Sequence, residues 1–168
     1  MSYAARKSSF AAALFMSSAL ATTTPRAPAS SYEAHLAGAL ELDLRGTTAE
    51  FGKVSGGTAP FVIILGAPSE AGALLFTHWE GRQPRAGTYE ITPEPSPDGI
   101  QALVVTGSPT RPTGVFRARH GRLTISSSGV RSISAQFALE AVGFLASEPD
   151  REDRGLTVKG AFTASPSR

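Results

Sequence analysis

The sequence predicts an all-β fold, an antiparallel β-sandwich or partly closed β-barrel of roughly 9–10 short strands preceded by an N-terminal signal helix. Three observations predict it. Apolar residues recur with period 2 in short segments, as half-buried strands require. Gly, Pro, Ser or Asp clusters separate nearly all of these segments. Beyond the first twenty or so residues no segment shows a helical period, and no βαβ unit, G-x-G-x-x-G tract or P-loop is present. At 168 residues, 41% hydrophobic and 18% charged, the chain has the composition of one globular domain.

The first element is an export signal. Arg6 and Lys7 form a basic start, Phe10 to Leu20 an apolar stretch, and Ala19 and Ala21 the small residues of a cleavage site, so residues 1–21 are expected to be removed. The apolar stretch is too short for a membrane span, which needs about 20 residues. Thr22 stands where a lipoprotein would carry cysteine, so an exported protein, periplasmic or secreted and without a lipid anchor, is expected. Residues 22–32 are small, polar and Pro-containing and read as a flexible leader; residues 33–168 form a single all-β domain. Cysteine is absent, which excludes disulfides, thiol nucleophiles and cysteine-based metal sites. The net charge of +2 resides in Arg6 and Lys7, so the exported part is neutral and the pI of about 9.3 is no sign of nucleic-acid binding.

Strands follow in order. Leu40, Leu42 and Leu44 alternate with Glu41, Asp43 and Arg45. Phe61 to Leu65 is a continuous apolar run between Pro60 and Gly66, as a central strand buried on both faces would be. Residues 72–78, 87–92 and 100–106 come next, the last two separated by Thr92–Gly99, a loop with three prolines and an Asp-Gly turn. The stretch Gly114 to Ser126 reads as a hairpin turning at His120-Gly121, with Phe116, Ala118, Leu123 and Ile125 on an apolar face and Arg117, Arg119, Arg122 and Thr124 on the other. That register sets Arg119 opposite Arg122. Residues 131–142 place Ile133, Ala135, Phe137, Leu139 and Ala141 inward and continue the hairpin as a meander. Residues 156–163 place Leu156, Val158, Gly160 and Phe162 inward and Lys159 outward. Ile133 to Phe137 and Val158 to Phe162 share one apolar-x-small-x-Phe form, two strands meeting the same packing need.

The order Gly-Thr-Tyr-Glu-Ile (87–91), Gly-Arg-Leu-Thr-Ile (121–125), Gln-Phe-Ala-Leu-Glu-Ala (136–141) and Val-Lys-Gly-Ala-Phe-Thr-Ala (158–164) resembles uncharacterised families of exported bacterial all-β proteins, often lipoproteins. The resemblance covers about half of the chain beyond the signal. It implies an exported all-β domain and supplies no activity or site residue. The lipoprotein cysteine is missing here, and Ala135 stands where such families often place glycine.

Chemistry-bearing residues are few. Between Asp98 and Glu140 there is no acid but there are five arginines, of which Arg117, Arg119 and Arg122 are the expected anion-binding set, because the guanidinium fork pairs phosphate and carboxylate bidentately. The competing reading is a solvated face that discourages edge pairing. The acidic loop Glu148–Asp153 lacks calcium-loop spacing, and His35, His78 and His120 show no metal-ligand spacing, so no metal and no cofactor is expected. Residues 78–80 are expected to form a strand end with an exposed rim, and Trp79 to pack in the core or at the barrel end rather than to form a sugar platform. The leading expectation is a non-enzymatic binding or structural module of the cell envelope or extracellular space, with an anionic ligand as its partner. The alternatives are a small exported hydrolase using His78 and Glu80, marked by a cleft joining them to the acidic loop, and a carrier of small hydrophobic molecules, marked by a hollow interior.

Overall fold

The structure, a computed structural model, describes residues 29–53, 59–66, 71–108 and 110–167; the expected signal peptide and most of the expected leader lie outside them. Ten strands are described: β1 (Ser31–Gly38), β2 (Leu42–Gly46), β3 (Ala49–Lys53), β4 (Phe61–Leu65), β5 (Gly72–His78), β6 (Gly87–Ile91), β7 (Gln101–Ser108), β8 (Arg111–Ser128), β9 (Ile133–Leu145) and β10 (Arg154–Pro166). The all-β, antiparallel reading holds, and among the described residues no helix is long and apolar enough to cross a membrane.

Neighbouring strands run antiparallel except at one junction, where Ser165 and Pro166 of β10 pair in parallel with Glu50 and Phe51 of β3. The hydrogen-bonded path from β3 through β4, β5, β7, β8, β9 and β10 returns to β3, with β1–β2 branching from β10 and β6 from β8. Two layers result. One contains β2, β1, β10, β9, the second half of β8, and β6; the other contains β3, β4, β5, β7 and the first half of β8.

The layers face each other across a filled core. Phe76 of β5 meets Phe137 of β9 edge to face at 5.1 Å and Phe162 of β10 at 5.9 Å. Leu36, Ile63, Leu74, Val104, Phe116, Leu123 and Val158 close around these rings. An interior filled in this way is not the hollow one that a hydrophobic carrier requires.

Three expectations about strands change. The domain begins earlier than residue 33: Ser31 already pairs with Thr163, and Tyr32 is buried, because its ring completes the core on β1. Leu40 lies in the turn between β1 and β2, and of the three alternating leucines only Leu44 is fully buried. The third change concerns His120-Gly121, which is not a turn. Strand β8 runs straight through it, pairing first with β7 and then with β6 while β9 stays alongside throughout. Consecutive strands still pair as a meander from β7 through β10, but Arg119 does not face Arg122.

A bulge replaces the turn. Ala118 pairs with Ala141 and His120 with Glu140, leaving Arg119 as the extra residue. An extra residue shifts the in-out alternation by one, just as a two-residue turn would, so Phe116, Ala118, Leu123 and Ile125 are buried in either case. Among the described residues no non-glycine has positive φ, so His120 lacks the conformation that a type I′ turn demands. Gly121 faces inward at φ +154°, where a Cβ would run into the backbone oxygen of Ala138 and lie 2.6 Å from Leu139 Cα. The strand bends here from one layer into the other.

Candidate functional site

The bend separates the three expected arginines. Arg117 sits opposite Leu103 and Val142, in the layer of β7; Arg119 occupies the bulge; Arg122 lies between Glu90 of β6 and Ala138 of β9. The acid-free stretch in the sequence is not acid-free in space. Glu90 accepts a hydrogen bond from Arg122 Nε at 3.1 Å, and Glu140 pairs with His120 at 3.2 Å. The arginines therefore do not make one continuous cationic row.

Arg122 instead belongs to a row that runs across the whole polar layer: Asp43, His35, Lys159, Ala138, Arg122 and Glu90, one residue per strand from β2 to β6. A carboxylate hydrogen bond closes each end, since His35 Nδ1 donates to Asp43 Oδ1 at 2.8 Å as Arg122 does to Glu90. That imidazole contact holds the Asp43 carboxyl below its ordinary value of 3.8, chiefly through the hydrogen bond itself. Lys159, exposed, enters no ion pair among the described residues.

Between Lys159 and Arg122 the sheet carries a groove of about 310 Å³, lined also by Thr124, Gln136, Phe137, Ala138 and Gly160. A small residue keeps it open. Ala138 separates the two cations by two strand spacings, about 10 Å. Gly160 faces the core together with Phe137, and its missing side chain makes room for that ring there, since a Cβ would lie 2.6 Å from Phe137 Cζ. The groove thus offers two cations, a hydroxyl and an amide around the small side chain of Ala138. The alternation in 156–163 placed Lys159 outward, but its position two strands from Arg122 depends on register, which alternation does not reveal.

A second concavity, of about 620 Å³, lies at one end of the molecule between the end of β5 and β6. His78 is buried there, its Nδ1 donating to the Arg82 carbonyl at 3.1 Å, while Nε2 makes no hydrogen bond among the described residues. Tyr89 stands edge-on to the imidazole at 6.0 Å and its hydroxyl donates to Arg85 O. Ser128 and Gln83 tie the loop to the β8–β9 connection: Ser128 Oγ donates to Pro84 O at 2.6 Å, and Gln83 Nε2 donates to Ser128 Oγ and Gly129 O.

Glu80 lines this cleft, but its carboxylate is held by Arg82 at 2.6 Å. Asp98 also lines it, whereas the acidic loop of residues 148–153 does not. The carboxylates of that loop face its own cations, Glu148 lying 3.5 Å from Arg151 and 3.6 Å from Arg154. Of the two packing roles expected of Trp79 the core one does not hold: it follows the last residue of β5 and is 44% exposed, with its indole nitrogen donating to Gln101 Oε1 at 2.6 Å. Alternation along β5 turns His78 inward and sends the next residue outward.

Comparison of the chain with protein-family models, with curated proteins and with solved structures returns no match.

Proposed function

We propose that this chain is an exported, non-enzymatic binding module of the cell envelope or extracellular space, a sandwich with partial barrel closure that holds an anionic group between Arg122 and Lys159. The single observation that carries the reading is the groove: two cations on one cross-strand row, about 10 Å apart, with the small side chain of Ala138 keeping the space between them open. A phosphate, sulfate or carboxylate of an envelope polymer bridges such a pair, with Gln136 and Thr124 as further donors. The Arg122–Glu90 pair does not prevent this. Both side chains are more than half exposed, and such pairs are worth only about 0–1 kcal/mol, so an incoming anion can recruit the guanidinium.

The cleft at His78 supports catalysis less well. Its best carboxylate is neutralised by Arg82, and the nearby hydroxyls of Tyr89 and Thr88 are engaged with Arg85 O and Thr124. No base–nucleophile pair within hydrogen-bond reach is formed there among the described residues.

The test is chemical-shift mapping. Amide and side-chain signals of the labelled protein are followed while a sulfated polysaccharide is added, with neutral dextran as control. The expected shifts centre on Arg122, Gln136, Ala138 and Lys159, and fade with added salt. Shifts centred on His78, Arg82 and Arg85 would reject the groove in favour of the end cleft.

A further inference from the structure

The layer opposite the groove is apolar on both sides. Strands β4, β5 and β7 bury Ile63, Leu74, Phe76 and Val104 in the core, yet their outward positions carry Val62, Ile64, Leu75, Leu103 and Val105, continued by Val115 of β8. Ile64 is 42% exposed, and Trp79 lies beside Gln101 at the end of the same face. The other layer turns Glu33, His35, Lys159, Gln136 and Glu140 outward instead. Contiguous apolar surface of this kind marks an interaction site. It also explains why Phe61–Leu65 reads as a strand buried on both faces.

What covers the face is indicated by charge. One register row crosses it as Glu50, Ile64, Leu75, Leu103 and Arg117, an acid at one end, a base at the other and apolar residues between. Glu50 and Arg117 are exposed and enter no ion pair among the described residues. A row of this form is complementary to itself. A two-fold axis along β5, in the plane of contact, lays Leu75 on its own counterpart, Ile64 on Leu103 of the second copy and Glu50 on Arg117 of the second copy. An axis across the strands would set Glu50 on Glu50 and Arg117 on Arg117.

We propose that this face docks a second copy of the chain about a two-fold axis along β5. Two copies so related pack sheet on sheet in the aligned manner usual for β layers. Both Arg122–Lys159 grooves stay open on the outer sides of the pair, so the dimer does not depend on the anion-binding reading, and adds a second contact for a polymer if that reading holds.

Sedimentation velocity over a wide concentration range, on protein purified after expression of the full chain, tests the proposal. The wild type is expected to show the mass of two chains. Ile64→Asp is expected to give one chain with an unchanged circular dichroism spectrum, and Arg117→Glu to weaken association about tenfold or more, as loss of a well-placed interfacial ion pair does. The exchange Glu50→Arg with Arg117→Glu is expected to restore it. A wild type that stays monomeric, a dimer indifferent to Ile64→Asp, or an exchange that fails to rescue overturns the proposal. So does a monomer that floats with phosphatidylcholine–phosphatidylglycerol vesicles, which gives the face to a lipid surface.

Discussion

Replacing Gly121 by alanine probes the point where β8 crosses from one layer to the other. The new methyl group would strike the backbone oxygen of Ala138 and approach Leu139 Cα to 2.6 Å and its Cβ to 2.7 Å, and these atoms belong to the middle of β9, which has a neighbour on each side. Forcing extra volume into such a site costs about 1–3 kcal/mol. The positive φ of +154° adds about 1–3 kcal/mol of backbone strain for an L-residue. Stiffening of the unfolded chain returns about 0.4–1 kcal/mol. The net loss is about 1–5 kcal/mol, a fall of roughly 3–20 °C in Tm for a domain of this size. Gly129→Ala is the internal control, because the nearest atom to its new Cβ is Ser132 O at 3.9 Å; it should change stability by no more than about 0.5 kcal/mol. Urea unfolding followed by far-ultraviolet circular dichroism measures both. A Gly121→Ala protein as stable as the Gly129→Ala control would refute the close approach of β8 to β9 at the bulge.

Further outcomes follow from the core and from the polar row. Phe76→Ala removes the ring that touches both Phe137 and Phe162 and should cost about 3–5 kcal/mol in the same unfolding experiment; a loss under about 1 kcal/mol would mean that the layers do not meet there. The depressed Asp43 carboxyl implies that whatever its contact with His35 adds to stability is present above the ordinary value of 3.8 and lost as pH falls through the lowered one. In a carboxyl NMR titration, His35→Ala should bring the Asp43 midpoint back up toward 3.8, and an unmoved midpoint would exclude the hydrogen bond as its cause. Glu90→Gln frees Arg122 and should tighten binding of a sulfated polysaccharide, whereas weaker binding would show that Glu90 helps to position the guanidinium.

The sequence disclosed the strands better than their partners. Alternation identified which residues of 114–126, 131–142 and 156–163 face inward, because burial on one side of a sheet imposes period 2 whatever the neighbour is. It could not separate a hairpin at His120-Gly121 from a bulge, since both displace the alternation by one residue. The long unbroken alternation of β9 was the available clue: a strand of 13 residues needs a partner of comparable length, which β8 as one strand supplies and half of a hairpin does not. The bounds of β1 are hard to read because Tyr32, Ala34 and Leu36 differ greatly in size, and small alanine weakens a hydrophobic pattern. The site was legible only in part. Arg122 stood out as one of a run of arginines, but its acid partner, Glu90, and the second cation, Lys159, come from other strands. The apolar outer face of β4 was visible as Phe-Val-Ile-Ile-Leu, though burial on both sides and exposure on one leave the same residues in the sequence.

The groove between Arg122 and Lys159 is tested most directly by titration calorimetry with a sulfated polysaccharide at two salt concentrations, on the wild type and on Arg122→Ala, Lys159→Ala and Arg117→Ala. A lost charge-assisted hydrogen bond is worth about 1.5–3 kcal/mol, so each of the first two variants should bind about tenfold or more weakly. Arg117→Ala, compared with the wild type on a sulfated oligosaccharide too short to reach a second groove, should bind equally, and added salt should weaken every interaction that remains. Equal binding by the wild type and the Arg122→Ala and Lys159→Ala variants, or equal affinity for neutral dextran, would contradict the account.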